Sequence, residues 1–112
     1  MNEYCPDRWV VLKLEPKDDD TWYRLFGGWY GGYLNGDSWR ANSGIIKIVE
    51  QETHYEVYGT SGSIYKCAKG CEGLSGYMSS VLNSFQTNAN GARVSVCDIA
   101  EAMRVVNDEP TN

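Results

Sequence analysis

The sequence predicts an α+β fold, an N-terminal antiparallel β-sheet of short strands followed by two C-terminal α-helices. Three observations carry this. Apolar and polar residues alternate in short runs between about residues 8 and 67, and Gly, Asn, Asp and Pro clusters interrupt them at hairpin spacing. After Gly73 the apolar period lengthens to that of a helix, with repeats over about 75–87 and 96–106. The 112 residues suffice for one domain with one core, expected to span 1–112.

Residues 1–7 read as a loose lead-in ending at Pro6. Arg8 to Leu14 is a strand in which Val10, Leu12 and Leu14 are expected to face the core. Glu15 to Asp20 is a turn with an acidic, solvated tip. Thr21 to Phe26 is a β-branched and aromatic strand, with a bulge or bend expected at Gly27-Gly28. Trp29 to Leu34 continues it, kinked at Gly31-Gly32, and Asn35-Gly36 is a type I′ hairpin signal. The chain then returns through Asp37 to Arg40. Gly44 to Glu50, with Ile46 and Ile48 on one side, His54 to Gly59, and Ser63 to Cys67 complete a meander. Met78, Val81, Leu82 and Phe85 form one helical stripe, with Ser75 as N-cap and Asn88 to Gly91 as its end. Arg93 to Val96 is expected as a short extended link. Ile99, Ala102, Met103 and Val106 repeat the stripe, with Ser95 or Asp98 at that helix's start. The stripes either cover the sheet or pack on a second copy.

The formal net charge of −5 disfavours a general nucleic-acid binder, because phosphate backbones reward clustered Lys and Arg. No apolar run is long enough to span a membrane, and the opening residues lack a signal pattern, so a cytoplasmic location with reduced thiols is expected. Cys67 and Cys71 form one loose pair, Cys5 and Cys97 are far away, and His54 is the only histidine. Zinc asks for about four ligands in tight pairs, so the expectation is no metal and no cofactor. A Cys–His pair would need His54 beside a thiol, and nothing in the sequence puts it there. No phosphate-binding loop, zinc-protease helix or nucleophile elbow occurs. Glu50, Glu52 and Glu56 read as solvated strand carboxylates, and the chain is expected not to be an enzyme.

One stretch stands out. Gly27 to Gly44 holds two glycine pairs, the Asn-Gly turn, Trp29, Tyr30, Tyr33, Trp39 and Arg40, with Trp22 and Arg24 just before it. Stacking aromatics beside a guanidinium suit a nucleobase and its phosphates, at about 1–3 kcal/mol per stacked base. The plainer reading is that these aromatics are the core of a small sheet. Arg40, next to Trp39 in a turn-rich segment, fits a core role least. Arg104 lies off the helical stripe and reads as a surface residue.

The order of sheet and helices, together with Tyr23-Arg24, Gly-Gly-Tyr-Leu and the Gly36 to Gly44 segment, resembles the first Tad family of Thoeris anti-defence proteins of phages. The resemblance implies a sponge in the host cytoplasm. Such a protein binds cyclic ADP-ribose isomers, and in some members cyclic oligonucleotides, without degrading them. It implies dimers or larger homo-oligomers built through the C-terminal helices, and no membrane or nucleic-acid polymer as partner. It also implies a pocket of aromatics, an asparagine and arginines. Residues of matching type are Phe85 or Tyr77, Asn88 or Asn90, and Arg104, with Trp39 and Arg40 from the sheet. A protein-directed inhibitor of a host nuclease or CRISPR effector is the competing reading, favoured by the acidic excess. Against it, the carboxylates are spread out and form no long acidic helix.

Overall fold

A computed structural model describes residues 2–32 and 36–108. Strands dominate the N-terminal part and helices the C-terminal part, as the alternation and its change of period predict. The strands are β1 (Glu3–Tyr4), β2 (Arg8–Glu15), β3 (Trp22–Gly32), β4 (Gly36–Ala41), β5 (Ile45–Glu50), β6 (His54–Gly59), β7 (Ile64–Ala68) and β8 (Arg93–Cys97). A 3₁₀ turn at Lys69–Cys71 follows β7, and the helices are α1 (Gly76–Thr87) and α2 (Ile99–Val106).

The expected single meander is divided between two four-stranded sheets. One has the order β1-β7-β6-β5, the other β4-β3-β2-β8. The lead-in is not loose: β1 pairs parallel to β7, and Pro6 is buried. The link between the helices is a strand, since β8 pairs antiparallel with β2 from Val11↔Cys97 to Glu15↔Arg93. Tyr33, Leu34 and Asn35 lie outside the described residues, and the Asn35-Gly36 turn with them.

Strand β2 is buried on both faces. Val10 and Leu12 face one core as expected, but Trp9 and Val11 fill a second. The reason is that the β4-β3-β2-β8 sheet is a middle layer. Its Trp9, Val11, Tyr23 and Leu25 face meets the other sheet and α2. Its Val10, Leu12 and Phe26 face meets α1. Trp9 ties the layers further, its indole N–H donating to Ala68 O at 2.8 Å. The helices therefore cover opposite faces, and β8 carries the chain from one side to the other.

Local signals explain the helices. The Ser75 hydroxyl accepts from Met78 N at 3.1 Å, satisfying a free N–H of the first turn of α1. Asp98, rather than Ser95, caps α2 through Ala100 N, and the Glu72 carboxylate accepts from Ile99 N at 3.3 Å. Met78 and Leu82 of one stripe, and Ile99 and Ala102 of the other, are buried within this chain.

Two expectations about glycine and isoleucine change. No bulge occurs at Gly27-Gly28, where pairing to both neighbouring strands runs unbroken. A Cβ on Gly27 would come 2.9 Å from Pro6 Cβ, and one on Gly28 would come 2.6 Å from Met78 Sδ. These glycines admit close packing, not a bend. The irregularity falls between Trp29 and Gly32, where Gly31 takes φ +53°. Ile46 and Ile48 do not share a face. A register shift between Ile45 and Lys47 buries Ile45 and Ile48 and leaves Ile46 56% exposed.

Candidate functional site

The α1 side of the middle layer is incompletely covered. Met78 and Leu82 press on the sheet, and the last turn of α1 leaves a cleft of about 440 Å³ above β2 and β3. Leu12 and Leu14, two apart on β2, form its floor, with Val94 of β8 beside them. Phe85 of α1 and Asn88, its C-cap, supply one wall, and Arg24 of β3 supplies the cation. Arg24 reaches this face because it pairs with Leu12 across the sheet, and paired residues share a face. Ser84 and small residues complete the lining, which includes no carboxylate and no lysine.

Arg24 is held in place. Its Nε donates to Asn42 O at 2.9 Å, and its guanidinium lies 5.5 Å from the centroid of the Trp22 ring. Burial lowers its pKa, yet a guanidinium stays charged at neutral pH. Among the described residues no carboxylate forms an ion pair with it. Asn42 is only 3% exposed; its Oδ1 accepts from Leu25 N at 2.8 Å, and its own N donates to Leu25 O at 3.0 Å. Those bonds fasten the chain after β4 onto β3, so the carbonyl holding Arg24 is itself fixed.

A groove of about 300 Å³ on the opposite face of the sheet is lined by Tyr4, Trp29, Ser38, Trp39 and Arg40. The Arg40 guanidinium lies 4.4 Å from the Tyr4 ring centroid, within cation–π range. Trp29 donates its indole N–H to Cys5 O at 3.0 Å. Trp39 borders the groove at the edge strand, and its ring packs on the α1 side against Phe26 at 5.8 Å and Phe85 at 5.2 Å.

The structure thus sets Trp39 against Phe85, which lines the cleft together with Asn88, and places Arg40 on the opposite face of the sheet. Of the paired alternatives, Phe85 and Asn88 line the cleft. Tyr77 is exposed in the first turn of α1, and Asn90 takes φ 54° in the turn after it, a backbone conformation asparagine tolerates. Arg104 is exposed on α2, which covers the opposite face of the middle layer from the cleft. Sequence reasoning grouped Arg24 with the aromatics but gave it no place in the pocket. The signal available was the Trp22-x-Arg24 spacing, which puts both on one strand face.

The remaining chemistry is sparse. Burial pushes the Cys67 thiol far up and that of Cys97 to about 11, so both are protonated at neutral pH. His54 Nε2 lies 3.8 Å from Glu56 Oε2, and Glu56 also accepts from Tyr58 OH at 3.2 Å. These are neighbours on one face of β6. Among the described residues no group of three or more His, Cys, Asp or Glu is placed to hold a metal. Among the described residues no helix is long and apolar enough to cross a membrane. Comparison of the chain with protein-family models, curated proteins and solved structures gives no match.

Proposed function

We propose that this chain binds a small cyclic nucleotide signal, a cyclic ADP-ribose isomer or a cyclic oligonucleotide, and sequesters it without cutting it, as an anti-defence sponge of a phage acting in the host cytoplasm. One observation carries the reading. Arg24, which has no carboxylate partner among the described residues, and Phe85, with Trp39 packed on its ring, stand at an apolar cleft in a chain of net charge −5. Long-range attraction does not draw an anion to such a chain, so local donors must hold it. Aromatic faces supply stacking that any nucleobase can use. The Asn88 amide N–H already donates to Ser84 O at 2.9 Å, which leaves its carbonyl oxygen as an acceptor beside the cleft.

The test is capture. The protein is incubated with cyclic ADP-ribose isomers and cyclic oligonucleotides, filtered, heated and assayed by mass spectrometry. The expected result is a retained ligand released intact. Recovery of cleaved products would make the chain an enzyme, and no capture of any of these compounds would overturn the reading. The competing reading, an inhibitor that docks on a host defence protein, has the exposed Trp22, Tyr30 and Trp39 in its favour. It predicts a stable complex with such a protein and no retained nucleotide.

A further inference from the structure

We infer that Arg24 is the anion anchor of the cleft and that it holds one phosphate joined to a nucleoside, so that the cleft takes one nucleotide unit, free or within a cyclic compound whose further phosphates stay outside in solvent, and not an extended polyanion. The inference rests on the reading of the cleft as a nucleotide site and names the group that site recognises.

The lining decides the charge. Arg24 is the one charged residue among those that line the cleft, and Leu12, Leu14, Phe85 and Val94 make the rest mainly apolar. A polyanion placed there would leave its further phosphates against hydrocarbon, which costs several kcal/mol per unpaired charge in real proteins. A single phosphate meets a single guanidinium. At about 440 Å³ the cleft lies near the lower end of small-molecule sites, which run from about 300 to 1,000 Å³.

The anchor is ordered before any ligand arrives. With Nε given to Asn42 O and the guanidinium beside Trp22, the plane of Arg24 is defined, and its terminal nitrogens remain for a bidentate contact. Little side-chain entropy is then lost on binding. Arg24 is also partly withdrawn from water, so salt screens its attraction less than that of the exposed Arg40. The nucleoside follows from the other walls. Phe85 offers a ring, and Asn88 Oδ1 accepts from an exocyclic amine such as that of adenine.

The experiment is titration calorimetry on the full chain with adenosine 5′-monophosphate, adenosine, adenosine 5′-triphosphate and inorganic phosphate, at low and high salt. Hydrogen bonds to charged groups are worth about 1.5–3 kcal/mol, so the monophosphate should bind about 10- to 100-fold tighter than adenosine. The triphosphate should bind no tighter than the monophosphate, since one cation is available and the further phosphates would meet apolar walls. R24Q keeps an amide N–H for Asn42 O and should reduce the monophosphate to the affinity of adenosine while leaving adenosine unchanged. Equal binding of the monophosphate by R24Q and wild type would overturn the inference, as would a triphosphate preference that vanishes at high salt. If R24Q fails to fold, Ala92→Trp, which puts a bulky ring into the cleft, serves instead; undiminished monophosphate binding by it overturns the inference. The two readings separate cleanly: cyclic ADP-ribose still captured intact by R24Q would refute the anchor and leave the sponge standing.

Discussion

Met78 lies where a side chain on Gly28 would begin. A Cβ there would be 2.6 Å from Met78 Sδ and 2.7 Å from its Cγ, and Met78 is fully buried. Gly28→Val should therefore destabilise the fold by about 1–3 kcal/mol through overpacking. Combining it with Met78→Ala should recover part of that loss, because the two residues contend for one space. Denaturant melts of the single and double variants check this; strictly additive losses would mean that the glycine is required for another reason. At the same scale, Asn42 shows how one buried amide positions a distant cation, through its carbonyl and its two bonds to Leu25.

Strand β5 is an edge of its sheet, and edges expose unpaired peptide groups that invite other strands. Here α2 supplies a stopper. Asn107, its C-cap, donates Nδ2 to Ile48 O at 2.7 Å and accepts from Ile48 N at 3.1 Å, so a side-chain amide replaces a neighbouring strand at one position. Asn107→Ala removes both bonds and should cost about 1–3 kcal/mol. Increased aggregation at high concentration should accompany the loss, read by light scattering. A variant as stable and as soluble as wild type would show that water replaces the amide at no cost. The helix stripes were legible at this scale, since Met78, Leu82, Ile99 and Ala102 are buried as their spacing predicts. The strand nature of Arg93–Cys97 was not, because five residues between helices carry too little alternation to distinguish a strand from a link.

For the whole molecule, the stripes first considered for an interface are partly used up inside the chain. What remains outward on that side is Ile46 of β5 and Val105 of α2, and a groove runs between β5 and α2, lined by Met103 and Val106. We propose that copies associate there, as the C-terminal-helix dimer of the resembled family implies. Met103→Glu places a charge in that groove and should shift sedimentation from a dimer toward a monomer while circular dichroism stays unchanged. A wild-type monomer at all concentrations would rule out the assembly.

The sequence by itself determined the class of fold, the start of the first helix at Ser75, and the three strand positions from Gly44 to Cys67 to within a residue or so, because these depend on period, capping and turn chemistry within a few residues; the cap of the second helix it left between Ser95 and Asp98. The family resemblance named Trp39, Arg40 and Arg104 as pocket candidates and left Phe85 against Tyr77 and Asn88 against Asn90 undecided. Tertiary structure decided the rest: two sheets in place of one, a β2 strand buried on both faces, helices on opposite sides, and Arg24 in the cleft instead of Arg104. These depend on which strand pairs with which. The pairing of β2 with both β3 and β8 brings residues more than 80 positions apart into register, as at Leu12↔Val96, and no local pattern records that neighbour.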